Sequence, residues 1–535
     1  MRAVPEMPAE DLLRQLEEFL GADGVITDPL ELEYYSADVY SAGARAALVI
    51  RPSRRAGLAD AVGLLTASGY AVIPRGGGMS YTSGYIPVAA KSVVVALDRI
   101  NEIVDLDTEN MTITVEAGVT WQQIHNALAG TGLRLPFFGT FSGSRATVGG
   151  GMSNGALFMG TGRYGTAAEI VLGLEVITAE GRLLQTGQAA FKNGKPFYRT
   201  YGPDLTGLFV HDAGALGIKT LISMRLMRAP EHEDYASFVL TDSVCAAAAL
   251  SDIARAGIAE EAYVFDPDTN RRSLDASDLA ADLKRLLGVV KAQKGLFRGV
   301  REGAALVGAG RNFIADDVFT LHVVCSGNGE QAVARDLAEC RRILDTHGGG
   351  EIANSIPKAA RANPFEPLNG ILGTKGDRWA ALNAKVAHSD AHAVIAATEA
   401  IFATHASDMS RHGVTHSFLF IAISNHAFSI EPVLRWFDEW LPAHRRTPQS
   451  EYLAKLDEPG PNPGGRQLVA KIRADIVQLF AERGAASNQI GKTYPYYASL
   501  NGETARLVLD LKRSLDPNGL MNPGALGLPE FARDS

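Results

Sequence analysis

Leu12, Leu13, Leu16, Phe19 and Leu20 recur at helical spacing ahead of Gly21, which predicts an amphipathic opening helix closed by glycine. The period then changes. The run AALVIRP at 46–52 has the length and apolar content of a strand, GLADAVGLLTASG at 57–69 reads as a helix, and YAVIPRGGG as a second strand entering a loop. These three make a β-α-β unit. SVVVALD at 92–98 is an unbroken apolar strand, whereas in MTITVEAG at 111–118 Ile113, Val115 and Ala117 alternate with Thr112, Thr114 and Glu116. A helix over 121–128 follows. EIVLGLEVITAEGRLLQTG reads as two strands turning at Glu180-Gly181, and GALGIKTLISMRLMRAP at 214–230 as a long strand or pair stopped by Pro230.

Beyond residue 230 the pattern becomes α+β. Strand-like YASFVL, DVFTLHVVC and HSFLFIAIS alternate with alanine-rich helices, including LNAKVAHSDAHAVIAATEAIFATH, as in a sheet with helices on one face. The segment 456–466, LDEPGPNPGGR, has too many prolines and glycines for a core element. The C-terminal stretch predicts a short strand near IGKTYPYY, a helix over about 503–515 and two turns at DPNG and NPG.

Three of these strands end in glycine-rich loops, PRGGGMSYTSGY at 74–85, EAGVTW at 116–121 and ATVGGGMSNGALFMGTGRYG at 146–165. Glycine lets main-chain N–H groups come close to an anion, so such loops can cradle a diphosphate without a lysine.

Length and composition narrow the rest. A chain of 535 residues divides into two or three domains. With 46% hydrophobic and 21% charged residues it is an ordinary globular protein, and a net charge of -9 leaves no basic footprint for nucleic acid. Cys245, Cys325 and Cys340 form no CxxC pair and predict neither a disulfide framework nor a zinc site, in keeping with a reducing cytoplasm. No run of eighteen apolar residues predicts a membrane span, and the opening residues lack the apolar core of a signal peptide.

The segments PRGGGMSYTSG, NEIVDLDTENMTITVEAGVTW, ATVGGGMSNGA, GRYGTAAEIVLGLEVITAEGRLLQTG, YGPDLTGLFVHDAGALGIKTLISMRL and LDPNGLMNPG, in that order, resemble the FAD-linked oxidases of the vanillyl-alcohol oxidase and p-cresol methylhydroxylase superfamily. Within it the text is most similar to the branch of glycolate oxidase subunits, D-lactate dehydrogenases and alkyl-dihydroxyacetone-phosphate synthase. The resemblance implies an α+β protein with an FAD-binding domain in two parts, 1–230 and a returning 480–535, and an inserted cap domain over 231–479. It also implies the cofactor contacts. Pro74, Arg75, Gly76, Gly77, Gly78, Met79, Ser80, Thr82 and Ser83 would wrap the pyrophosphate. Pro136, Thr140, Ser144 and Thr147 would run beside the isoalloxazine. Gly149, Gly150, Ser153, Asn154 and Gly155 would line the diphosphate path, with Gly217 and Ile218 on the adenine side and Asn522 returning from the C-terminus.

Departures from the family pattern shape the chemistry expected. The first glycine loop has Met79 and no histidine to bond the flavin, so the expected state is non-covalent FAD. LFVHDAGALGI stands where relatives carry GSEGTLGI, with Asp212 and Ala213 in place of serine and glutamate. Ser487 and Asn488 occupy the glutamate and histidine positions of the metal-dependent branch, and no GDGN accompanies His416, so no metal is expected. Side chains must then handle the substrate proton while hydride passes to flavin N5. The candidates are Lys492, Tyr494 and Tyr497 in the C-terminal segment, His416 near the apolar strand FLFIAIS with His426 ten positions on, and Arg411 for a substrate anion, with Arg378 and Lys375 as weaker choices. Phe365, Leu368 and Leu372 read as a lid.

The reading that follows is an FAD-dependent oxidation of a phenolic or aryl alcohol without a metal. Its alternatives are a 2-hydroxy acid dehydrogenase of the lactate or glycolate kind and a non-redox flavin-dependent transferase. The expected partners are a small-molecule substrate and either oxygen or another electron acceptor, with no nucleic acid; a homodimer is left open.

Overall fold

The computed structural model describes residues 10–276 and 317–531; residues 277–316 of the expected inserted domain lie outside them. The opening helix, Glu10–Leu20, buries Leu12, Leu16 and Leu20. The β-α-β unit predicted at 46–75 forms as strands Leu48–Ile50 and Ala71–Arg75 around helix Leu58–Ala67. Both strands pair in parallel with Ser92–Ala96, and Val25–Ile26 completes a four-stranded sheet. A five-stranded antiparallel sheet follows, ordered Ile103–Asp107, Thr112–Glu116, Ile218–Arg225, Val171–Ile177, Leu183–Gln185. Ile113 and Val115 enter its core as the alternation predicts.

From His232 onward one antiparallel sheet dominates. Its order is Gly350–Ile352, His232–Leu240, Phe319–Gly327, Glu261–Phe265, Thr415–Ile423, Ala427–Trp436, Arg378–Ala381, with Ala384–Val386 also pairing with Ala427–Trp436. One face is covered by Ser243–Ala256, Glu330–Thr346, Ala391–His412 and Pro463–Glu482, whose apolar sides share a core with Phe238, Val264, Leu321, Phe420 and Ile430. The other face looks toward the glycine loops.

Three local expectations change. The text LNAKVAHSDAHAVIAATEAIFATH does not form one helix: Ala384–Val386 is a strand and the helix starts at Ala391. Alanine-rich propensity there yields to the ladder offered by Ala427–Trp436. The short strand expected near Tyr494 is instead a turn running into a 3-10 helix, Tyr497–Ser499. Within the third glycine loop, Val148–Asn154 is helical because Thr147 caps it by accepting from Gly150 N.

The C-terminus returns to the first sheet. Val72 N donates to Leu520 O at 2.8 Å and Asn522 N donates to Val72 O at 2.9 Å. Lys512 Nζ locks the return by donating to Ala215 O, Met521 O and Asp516 Oδ2 at 2.7, 2.7 and 2.6 Å. Among the described residues, no helix is long and apolar enough to cross a membrane.

A buried ion cluster ties the large sheet to the N-terminal half. Arg134 donates to both Glu260 oxygens at 2.7 and 2.8 Å, and Arg361 reaches Glu260 at 2.6 Å and Glu261 at 2.8 Å. Burial alone would raise the Glu260 pKa, but the charges of Arg361 and Arg134 outweigh it and hold the carboxyl well below the carboxylate range. A folded pKa below the unfolded value of about 4.3 means this stabilisation is complete above that value and is lost as pH falls toward the folded one. Glu260→Gln is therefore expected to melt lower than the parent at pH 7, with the difference shrinking toward pH 3. Thermal melts of both across that range measure it; a constant gap would refute the assignment.

Candidate functional site

A cleft runs along the glycine loops, closed by Leu97, the 213–219 segment and Gln489. Of the residues expected at a cofactor, Pro74, Arg75, Gly76, Gly77, Gly78, Met79, Ser80, Thr140, Thr147, Gly149, Gly150, Ser153, Asn154 and Gly217 line it. The loops meet too closely for side chains: a Cβ on Gly77 would sit 1.9 Å from Arg145 O, and one on Gly76 2.3 Å from Thr147 Oγ1. Backbone is thereby left facing the cleft.

The cleft's electrostatics suit an anion. Arg75 and Lys219 are its charged lining residues, and no carboxylate lines it. Lys219 is matched by Asp212 at 2.6 Å. Arg75 is 2% exposed, donates to Tyr34 O at 2.9 Å, and is ringed by Tyr34, Tyr35 and Tyr85 at 4.7, 4.9 and 5.0 Å. Among the described residues it has no carboxylate partner, and a buried guanidinium in that state calls for an anion. Asn154 Oδ1 and Gln489 Oε1, both on lining residues, are buried without a hydrogen-bond partner. A dinucleotide fits these features: its diphosphate answers Arg75, and its N–H and O–H groups answer the two unpartnered oxygens, which are acceptors.

The other expected cofactor residues stand behind the cleft wall. Thr82 Oγ1 pairs with Ser80 Oγ at 3.0 Å and Ser83 Oγ with Ser41 Oγ at 3.2 Å. Ser144 Oγ donates to Glu366 O across to the large-sheet unit, Pro136 O abuts Gly160, and Ile218 is core. Gly155 packs on His211, and Asn522 Nδ2 donates to Gly84 O and Ala213 O, clipping the C-terminus to the loops. Gly84 and Tyr85 do line the cleft and were legible within the first loop; Lys219 and Gln489, which also line it, carry no sequence signal.

Beside Met79 and Gln489 the cleft adjoins a polar chamber under the large sheet. Strand Ala427–Trp436 sends Phe428, Ile430 and Leu434 to the helix-covered face, so Ser429, Glu431 and Val433 project to the other. There Val433 packs with Tyr81, Ala381, Met79 and Trp379. Gln489 lies beside the Tyr81 phenol. Tyr494 Oη accepts from Asn383 N at 2.6 Å. Arg473 donates to Ala381 O at 2.8 Å and Tyr81 O at 3.1 Å and lies 4.1 Å over the Tyr40 ring. Lys385 Nζ donates to Ser429 Oγ at 3.0 Å and Asn383 Oδ1 at 3.3 Å. Burial raises the pKa of Tyr81 well above the usual phenol value and pushes Tyr494 up to about 12, so both stay protonated near neutrality.

Of the expected catalytic residues, only Tyr494 comes to this chamber. His416 sits opposite Leu434 on the helix-covered face, its ring stacked 4.0 Å from Phe402, and His426 is exposed in the turn beyond the strand. The two histidines share no strand face, because the strand ends at Ile423 and His426 falls in the turn. Arg411 is a surface residue paired with Asp408 at 2.8 Å. Tyr497 packs against the helix-side core. Lys492 is turned toward the first loop, where its Nζ donates to Ile86 O at 2.5 Å, and burial lowers its pKa to about 7. Arg378 is bound to Asp438 and Tyr40 O, and Lys375 is exposed. Phe365 and Leu372 are buried, Phe365 against the backbone at Gly139 and Gly143. Among the described residues no three His, Cys, Asp or Glu side chains gather as metal ligands.

The fold and cleft are those of a dinucleotide-binding protein. Residues 46–187 match the FAD binding domain family, and residues 490–526 match the C-terminal domain of FAD linked oxidases. The cofactor is FAD, and the FAD-linked oxidase resemblance in the sequence holds. D-2-hydroxyglutarate dehydrogenase of Xanthomonas citri pv. viticola is 31% identical over 216 residues, 40% of this chain and 44% of that one. Glycolate oxidase subunit GlcD of Bacillus subtilis is 32% identical over 187 residues, 35% of this chain and 38% of that one. The chain thus spans less than half the length of these curated relatives. The solved 4-ethylphenol oxidase from Gulosibacter chungangensis, in complex with isoeugenol, superimposes with a TM-score of 0.72 at 17% identity, covering 99% of both chains. That likeness is one of fold.

Proposed function

We propose that this protein is an FAD-dependent oxidoreductase that oxidises a neutral phenol or aryl alcohol, with 1–230 and 480–535 forming the FAD unit and 231–479 the substrate unit. The observation that carries the reading is the convergence of Tyr81, Tyr494 and Arg473 beside Gln489 of the cleft. Two protonated phenols and a guanidinium form a donor set for an oxygen that gains negative charge as the substrate is oxidised. Bound FAD supplies the acceptor for the hydride. The chain's part is to hold the substrate oxygen and orient its carbon, with Trp379 and Val433 as apolar walls.

Similarity to D-2-hydroxyglutarate dehydrogenase and GlcD supports a 2-hydroxy acid instead. The family matches, however, fall at 46–187 and 490–526, outside the segments that carry Arg473, Lys385 and Trp379.

Anaerobic titration tests this. A para-alkylphenol or benzylic alcohol is expected to bleach the flavin, and Tyr494→Phe to slow that reduction by about 10²-fold, the effect of losing one such donor, with flavin content unchanged. Bleaching by 2-hydroxy acids alone, or a Tyr494→Phe rate equal to the parent's, sinks the reading.

A further inference from the structure

We propose that Glu431 is the proton acceptor of the oxidation and that Lys385 holds it charged until substrate arrives. The proposal rests on the phenol or aryl alcohol reading above. Glu431 is central in strand Ala427–Trp436, on the face that meets Tyr81 and Met79 rather than the helices. It is half-buried, unlike the buried residues flanking it, Ile430 and Pro432. Among the described residues no donor or cation lies within hydrogen-bond or ion-pair reach of its carboxylate; its influences are burial and the charge of Lys385. The carboxylate is only half-buried, so a substrate oxygen can approach it without displacing an existing hydrogen bond.

The groups facing it come from every neighbouring element. Lys385, on the adjoining strand Ala384–Val386, lies at the Ser429 register of Glu431's own strand. The charge of Glu431 is felt by both Tyr81, from the first glycine loop, and Tyr494, from the C-terminal segment. Arg473, from helix Pro463–Glu482, acts on the same two tyrosines. The other carboxylate of this region, Asp38, is occupied by three main-chain donors, from Tyr40, Ser41 and Ser83, at 2.7, 2.7 and 2.8 Å. Among the described residues, the Glu431 carboxylate by contrast accepts no hydrogen bond. Burial raises the Glu431 pKa and lowers that of Lys385, while the charge of Lys385 opposes the rise at Glu431.

The step balances as follows. The substrate O–H bond breaks and its proton bonds to a Glu431 carboxylate oxygen. The C–H bond breaks with its electron pair, and this hydride goes to bound FAD, reducing it by two electrons while the substrate carbon is oxidised.

Rapid-mixing reduction of the FAD-loaded protein, followed from pH 5 to 10, tests the role with whichever donor bleaches the parent. Glu431→Gln is expected to lower the second-order reduction rate at least 10²-fold and to abolish the acidic limb of its pH profile. Flavin content, and the spectral shift caused by a non-reacting phenol analogue, should stay within threefold of the parent. Lys385→Met should move the acidic limb to higher pH, since loss of a positive neighbour favours the protonated carboxyl. A Glu431→Gln rate within threefold of the parent with the limb intact overturns the proposal. So does a Lys385→Met profile that leaves the limb in place, which covers a Glu431→Gln variant that fails to fold. Reduction of the parent by 2-hydroxy acids alone refutes the phenol reading, and the same comparison with that donor still decides Glu431. Reduction by neither class refutes both.

Discussion

Arg75→Met is expected to bind FAD about 10- to 150-fold more weakly than the parent, the equivalent of one charge-assisted hydrogen bond of ~1.5–3 kcal/mol. The argument starts from what Arg75 lacks. It is 2% exposed, its recorded acceptors are main-chain carbonyls, and three tyrosine rings surround it within 5.0 Å. Rings hold a guanidinium in place but cannot neutralise it. In the cofactor-free protein it remains a buried charge without a counter-ion, and a diphosphate in the adjoining cleft supplies one. Methionine keeps the volume and packs on aromatic edges, so the apoprotein should fold and melt no lower than the parent. The discriminating quantity is the rise in melting temperature on adding FAD, which should shrink in the variant because stabilisation by ligand follows its affinity. Fluorescence titration of apoprotein with FAD gives the affinity directly. An unchanged affinity would place the diphosphate away from Arg75.

Asp212→Asn is expected to destabilise the fold by about 3–5 kcal/mol, the cost of breaking a sealed ion pair by removing one partner. Asp212 and Lys219 side chains are 1% and 2% exposed and meet at 2.6 Å. The same carboxylate accepts from Gly214 N at 3.0 Å and Leu216 N at 3.4 Å, which steadies a segment where His211 and Ala213 have φ of 56° and 50°. Asparagine can keep one of those bonds but leaves Lys219 as a buried cation beside the cleft. The urea midpoint should fall with an unchanged slope, and Asp212→Asn with Lys219→Met should recover most of the loss. Failure of that second change to recover stability would assign the pair's effect to the turn alone.

This pair also explains a departure noticed in the text of the chain. HDAGAL stands where relatives carry a serine and a glutamate, and the aspartate there is matched by Lys219, seven residues on. Neither residue is informative alone. The pairing exists only once the turn brings them together.

Much of the cofactor cleft was legible because its signals are local. Glycine runs at strand ends dictate where backbone can approach an anion, the β-α-β unit follows from apolar spacing within thirty residues, and Thr147 at the start of Val148–Asn154 is a cap in sequence as in space. The chamber was not legible. Lys385, Glu431 and Arg473 sit in no motif, and although Tyr81 lies in the first glycine loop and Tyr494 in the C-terminal segment, nothing in the text joins the five. Glu431 looks like any charged residue in an amphipathic strand, and His416 looks the better base. Alternation along strands Thr415–Ile423 and Ala427–Trp436 states that residues divide between two faces, but which face meets helices and which meets the flavin cleft depends on the partners the sheet acquires. Backbone conformation is set by neighbours in the chain and can be read from them; the convergence of side chains from distant segments, and the desolvation that shifts their protonation, exists only once those segments pack.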